Sequence, residues 1–210
     1  MYYDATIKGY GEINYKINKI YCDKYGIDLI VSHEKTYADR HPSYEKLPLV
    51  LKYIDQYDYL VWIDADAYFY KESEDIRNII NSHPDKDFIF SEDAKNWLKC
   101  SIQNVNLGIF IVKSTEYTKQ FINFWAYDQE SYNKNTAPGF WEQGVLTKLF
   151  NNNKYEIQSN IALIKYGVLQ QFREEGEYRS THMKKPLILH FANMPSKSRE
   201  ENSIKYYASL

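Results

Sequence analysis

The chain predicts an α/β domain with a mainly parallel central sheet flanked by helices. Three observations predict it. Short apolar runs alternate with segments of helical periodicity, polar residues collect where those runs stop, and 210 residues at 44% hydrophobic content suffice for one substantial core. No linker, repeat or low-complexity tract divides residues 1–210, so a single domain is expected.

Taken in order, Ile13, Ile17, Ile20 and Tyr21 recur at helical spacing, and Gly26 supplies a cap that ends the helix. "IDLIVS", Ile27 to Ser32, reads as a buried strand. Leu47, Val50, Leu51 and Ile54 then make one apolar face; Pro48 is tolerated only near a helix start, which places Lys46 at the N-terminal end. "YLVWI", Tyr59 to Ile63, is the next strand, and a helix over Ile76 to Asn81 is opened by Ser73 and closed before Pro84. "DFIFSED" and "NLGIFIVK" give two further strands, the first ending in Glu92 and Asp93, the second centred on Ile109 to Val112. Ser114 or Thr115 caps a helix carrying Tyr117, Phe121, Phe124 and Trp125. Another helix, Glu142 to Phe150, follows the turn at Pro138 and Gly139, and "PLILHFA" forms a last strand ending at His190.

Composition removes several classes of function. With 26 basic and 28 acidic residues intermixed, the net charge is −2 and no basic stripe marks a nucleic-acid partner. Cys22 and Cys100 lie far apart, which suggests neither a zinc knuckle nor a disulfide framework, only reduced thiols in a cytosol-like compartment. No apolar run approaches the roughly 20 residues needed to span a bilayer, and "MYYDATIKGY" lacks a signal-peptide core, so a soluble, cytoplasmic protein is expected. The 21 tyrosines fit both cores and wet rims, since the ring is apolar and the hydroxyl polar.

In open α/β sheets, ligands bind beyond the carboxyl ends of strands. Asp64, Asp66, Glu92, Asp93 and His190 all stand where a strand runs out. Two carboxylates at i and i+2 repel unless a cation lies between them, and Mn²⁺ or Mg²⁺ suits such oxygen ligands while keeping positions open for a diphosphate. His190 ends an apolar strand and precedes the turn-rich "FANMPSK", so it can complete a metal site while Lys197 neutralises phosphate.

Four ordered blocks carry a resemblance: "WIDADAYF", "NVNLGIFIVKST", "FWEQGVLTKLF" and "LILHFANMPSK". From about Lys46 to Lys197 the chain resembles the metal-dependent GT-A glycosyltransferases, in particular the family of fungal α-galactosyl- and α-mannosyltransferases and plant xyloglucan xylosyltransferases. It also resembles the glycosyltransferase domains that large algal viruses encode for decorating capsid protein. The resemblance implies a UDP-sugar donor, one divalent ion, transfer to a hydroxyl of a glycan or glycoprotein with retention, and, for a viral enzyme, the host cytoplasm. It further implies a donor-binding half over about residues 1–112 and an acceptor- and metal-completing half over about 113–210.

Residue by residue, the resemblance implies Asp66 as direct metal ligand, Asp64 on metal or ribose, and His190 as the third protein ligand. Lys46, Asp93, Asn106 and Glu142 would bind the donor sugar, and Glu142 and Gln143 would lie beneath it as the catalytic pair. Tyr3, Asp4, Asp64, Ala65 and Lys197 would bind the nucleotide. The family's opening hydrophobic strand is shortened here to "MYYDATIK", and its glycine-rich stretch after the histidine is replaced by "FANMPSK".

Two other readings stay open at this point. A haloacid-dehalogenase-type phosphatase also places paired aspartates after an apolar strand, the first attacking phosphorus and the second acting as acid and base. It expects the motif near the N-terminus and a small residue where Tyr68 stands. The other is a catalytically inert sugar-nucleotide-binding module.

Overall fold

The computed structural model describes residues 1–93, 105–127, 141–172, 186–192 and 194–210. In chain order the described elements are α1 (Lys8–Tyr25), α2 (Lys46–Tyr53), β1 (Tyr59–Ile63), β2 (Ala67–Phe69), α3 (Arg77–Asn81), β3 (Phe88–Glu92), β4 (Val105–Lys113) and α4 (Glu116–Tyr127). They continue with α5 (Trp141–Asn151), α6 (Ile157–Asn160), β5 (Ile161–Ile164), β6 (Gln170–Phe172), β7 (Ile188–His190) and α7 (Ser196–Tyr207). The chain forms two units, each drawn from separate stretches: Met1–Glu34, Ile63–Asn78 and Lys165–Leu210 in one, Lys35–Trp62 and Ile79–Ile164 in the other. The turn at Pro138 and Gly139, and Cys100, lie outside the described residues. Among the described residues no helix is long and apolar enough to cross a membrane.

In the first unit, α1 ends as expected at Gly26, whose φ of 62° is the left-handed conformation that glycine adopts without a Cβ clash; its N–H bonds the carbonyls of Cys22 and Asp23. The buried face of α1 differs from the apolar pattern. Tyr10, Asn14, Ile17, Asn18 and Tyr21 are buried, while Ile20 is 49% exposed, so two amides occupy places that an all-apolar stripe would fill. A three-stranded sheet of order β2-β7-β6 has β2 antiparallel and β6 parallel to β7. Ile17, Tyr68, Leu189, Phe191 and Tyr206 make its apolar core, with Tyr206 stacked 4.5 Å from Tyr68.

Two expectations are corrected here. Ile27 to Ser32 is not a buried strand: it meets residues 1–3 in an isolated parallel bridge, Ser32 with Tyr2, beside a bond that the Ile30 carbonyl accepts from the Met1 amino group at 3.1 Å, and Ile27, Leu29, Ile30 and Val31 stay partly exposed. Ser73 does not open α3. Its hydroxyl donates to the Leu187 carbonyl at 2.6 Å, and Asp75 caps instead, accepting from the Arg77 N–H at 3.0 Å.

In the second unit, a four-stranded sheet runs β1-β4-β3-β5, with β3 antiparallel to β4 and parallel to β5. The α/β class holds, but both sheets are mixed rather than mainly parallel. Val105 to Val112 is buried throughout, and an apolar run reads the same in either direction. Phe88, Phe90, Phe110, Phe121 and Trp125 fill the core in tilted and edge-on pairs. Thr115 caps α4 by accepting from the Thr118 N–H at 3.2 Å.

The β3–β4 ladder carries a large bulge. Phe90 pairs with Phe110 but Ser91 pairs with Asn106, so Leu107, Gly108 and Ile109 find no partner on β3. The Leu107 N–H and carbonyl and the Gly108 N–H find side-chain partners instead.

A candidate metal centre and a polar cluster

Asp64, Asp66 and His190 come together in the first unit, with one candidate ligand atom from each within 4.8 Å of the others. The register explains it: Ala67 pairs with His190, so the residues just before β2 meet the end of β7. Backbone bonds hold the turn that carries the aspartates. Ala67 N–H donates to the Asp64 carbonyl at 3.1 Å and Phe191 N–H to the Asp66 carbonyl at 2.9 Å. From α1, the Asn14 amide donates to the Ala65 carbonyl at 2.8 Å. Asn18 donates to the Ala67 carbonyl at 3.1 Å and accepts from the Phe69 N–H at 3.0 Å. The amides interrupting the apolar face of α1 therefore fix the aspartate turn.

The Asp66 side chain is 13% exposed, its Oδ1 lying 3.3 Å from His190 Nε2 and its Oδ2 3.2 Å from an Arg199 Nη2. Burial pushes its carboxyl upward, but the charge and hydrogen bond of His190 and the charge of Arg199 outweigh that and hold it well below the usual carboxylate range, at about 2.

His190 Nδ1 lies 2.9 Å from Gln170 Oε1 on the neighbouring β6. An amide oxygen only accepts, so the proton sits on Nδ1 and the other ring nitrogen turns toward Asp66. Asp66 Oδ1 and His190 Nε2, 3.3 Å apart, thus face each other as an oxygen and a nitrogen donor that one cation can share. Two carboxylates, one imidazole and an outer hydrogen bond on the imidazole are a donor set suited to a divalent ion.

The expected nucleotide residues have other neighbours. Ala65 is buried, with its carbonyl held by Asn14. Tyr3 is buried edge-on to His33 at 4.5 Å, and with Asp4, Lys8, Glu12, Tyr15 and His33 it lines a cavity of about 420 Å³. Asp4 is engaged by its own turn: hydrogen bonds from the Thr6 hydroxyl and N–H lower its carboxyl despite some burial. Lys197 stands 88% exposed on the first turn of α7, 3.8 Å from Glu201.

The expected sugar-binding and catalytic residues converge in the second unit. Lys46, fully inside, donates to Glu142 Oε1 at 2.8 Å and to the Leu107 carbonyl at 3.1 Å. Gln143 Oε1 accepts from the Leu107 N–H at 3.2 Å, and its Nε2 donates to Asp93 Oδ2 at 3.3 Å. Asn106 donates to Asp93 Oδ1 at 3.3 Å and accepts from the Gly108 N–H at 2.8 Å. The Leu107 N–H and carbonyl and the Gly108 N–H, released by the bulge, are thus taken up by Gln143, Lys46 and Asn106, which Glu142 and Asp93 bond in turn.

Gln170, Arg199, Asn14 and Asn18 were not anticipated. The two asparagines left a trace, as polar residues at i and i+4 inside an apolar stripe. Arg199 left none, because α7 is polar along nearly its whole length.

A family model described as nucleotide-diphospho-sugar transferase matches residues 33–200. Among solved structures, the chain is similar to a glycosyltransferase involved in the glycosylation of the major capsid of PBCV-1, with a TM-score of 0.71 and 13% identity over 93% of this chain and 92% of that one. It is also similar to the galactosyltransferase LgtC solved with donor and acceptor sugar analogues, with a TM-score of 0.64 and 12% identity over 100% of this chain and 94% of that one. No curated protein sequence matches.

Proposed function

The chain belongs to the nucleotide-diphospho-sugar transferase family and has the α/β fold of the GT-A glycosyltransferases; on that premise we propose that it moves a sugar from a UDP-sugar to a hydroxyl of an acceptor glycan or glycoprotein, with one divalent ion and with retention. The convergence of Asp64, Asp66 and His190 carries the reading. These three would hold Mn²⁺ or Mg²⁺. Such an ion, when bound, supplies fixed positive charge where departure of the diphosphate builds negative charge.

The chain's own groups do the rest. Asp64 shares the ribose, Ala65, Tyr3 and Asp4 bound the nucleotide, and the exposed Lys197 adds charge to the diphosphate. Asp93, Asn106 and the Lys46–Glu142 pair orient the donor sugar through its hydroxyls. Gln143 is a poor nucleophile, so its amide stabilises an oxocarbenium-like centre. The acceptor oxygen bonds the anomeric carbon on the face from which the diphosphate oxygen leaves, and the acceptor proton passes to the departing diphosphate. Residues 1–210 act as one transferase domain in this scheme. A capsid glycoprotein in the cytoplasm of a host cell is the acceptor and setting favoured by the capsid-glycosylating neighbour.

The test is a panel of UDP-sugars with Mn²⁺, following UDP release with and without acceptor glycans. Metal-dependent release is expected. Metal-independent cleavage of phosphomonoesters, indifferent to UDP, would replace the proposal with a phosphatase; donor binding without turnover would leave an inert module.

A further inference from the structure

We infer that Arg199 is a positioning residue of the metal centre, fixing Asp66 through one carboxylate oxygen so that the other faces His190 and the ion; the inference rests on the metal reading above. All three guanidinium nitrogens are in use. One Nη meets Asp66 Oδ2 at 3.2 Å, Nε donates to the Phe191 carbonyl at 3.0 Å, and the other Nη donates to the Tyr10 hydroxyl at 3.2 Å. Burial pushes the Tyr10 hydroxyl's pKa upward, so it stays a neutral oxygen able to accept. Arg199 thus joins one candidate ligand, the residue following another, and the buried face of α1.

This geometry separates two roles that a cation beside a metal site can have. A placeholder occupies the ion's position and swings away when the ion arrives. An anchor approaches the carboxylate from the far side and stays. Arg199 lies on Oδ2 while Oδ1 is turned to His190, and two further bonds oppose its departure. A planar fork can hold three such partners at once, which a lysine ammonium on a flexible stem cannot reproduce.

The experiment is Mn²⁺ titration of the full chain, without donor, read by the loss of the free-ion electron paramagnetic resonance signal. Arg199→Met is expected to weaken Mn²⁺ binding by roughly 10–100-fold, the usual consequence of losing an outer partner of a metal ligand, and Arg199→Lys to recover only part of it. Tyr206→Phe serves as the structural control. It removes the bond that the Tyr206 hydroxyl accepts from the Lys71 N–H at 2.5 Å, and so loosens α7 without touching Arg199. This variant is expected to melt earlier with unchanged Mn²⁺ affinity. Binding by Arg199→Met as tight as or tighter than wild type would overturn the anchor in favour of a placeholder, and equal losses in Arg199→Met and Tyr206→Phe would reduce it to a structural tie. Wild type that binds no Mn²⁺ would instead remove the metal reading itself.

Discussion

Lys46 donates to Glu142 at 2.8 Å although the two side chains are only 2% and 6% exposed and lie at opposite ends of the second unit's sequence. A buried pair contributes little net stability because desolvation offsets attraction, yet breaking it leaves a bare charge inside. Lys46→Met is therefore expected to destabilise the protein by about 3–5 kcal/mol in urea unfolding. Adding Glu142→Leu is expected to restore most of that loss. A single variant as stable as wild type would mean that the pair is solvated in solution.

The acid limb of stability should carry the signature of Asp66. Its folded carboxyl is held below the unfolded value by His190 and Arg199, against burial. Its contribution is present above the unfolded pKa, near 4, and is lost as pH falls toward the folded value. Comparing wild type with Asp66→Asn in urea melts from pH 6 down to pH 2, the advantage of wild type should shrink with acid. A pH-independent difference would contradict it. Mn²⁺ binding should vanish in the same variant.

Two glycines of α1 should respond oppositely to alanine. A Cβ at Gly11 would meet Tyr3 Cγ at 2.7 Å, and that ring is itself buried; a Cβ at Gly9 would meet only the end of the flexible Glu200 side chain. Gly9→Ala is expected to gain up to about 1 kcal/mol from helix propensity. Gly11→Ala should lose more than that gain through displacement of Tyr3. Thermal melts of the two variants decide it, and a stabilised Gly11→Ala would show that the ring is loosely held.

Gln170 should tune metal affinity from outside the ligand set. Gln170→Leu removes the acceptor that keeps the His190 proton on Nδ1, and roughly 10–100-fold weaker Mn²⁺ binding is expected at unchanged fold. Unaltered affinity in calorimetric titration would release Gln170 from that role.

Gln143→Glu tests the polar cluster. The new carboxylate still accepts from the Leu107 N–H but faces Asp93, now 3.3 Å from an amide nitrogen, with a like charge. Transfer is expected to fall at least about tenfold, in line with losing one preorganised electrostatic contact. UDP affinity should persist. Full activity would place Gln143 outside the site.

What could be read from residue order follows physical locality. Gly26 announced its helix end because a left-handed cap is a one-residue requirement, and Asp64, Asp66 and His190 announced themselves by standing where apolar strands stop. Asp93 also stands where a strand runs out, but its meeting with Lys46, Asn106, Glu142 and Gln143 was identifiable only through family resemblance, since it depends on a bulge that periodicity does not encode. Arg199 was hidden for a different reason: α7 docks through Ser203, Tyr206 and the arginine itself, so its buried side has no apolar stripe to detect. Strand direction was equally silent, because β4 is buried along nearly its full length and carries the same pattern read forwards or backwards.

The bulge in β4 has an experimental use. The Leu107 amide is bonded by the Gln143 side chain, not by β3, so its protection from hydrogen exchange depends on one rotamer of one glutamine. Amides in the regular ladder, such as those of Ile111 and Val112, report the opening of the sheet. Leu107 should report the cluster alone. An exchange rate that changes there when donor is added, while the ladder stays protected, would locate the sugar from the backbone of a single residue.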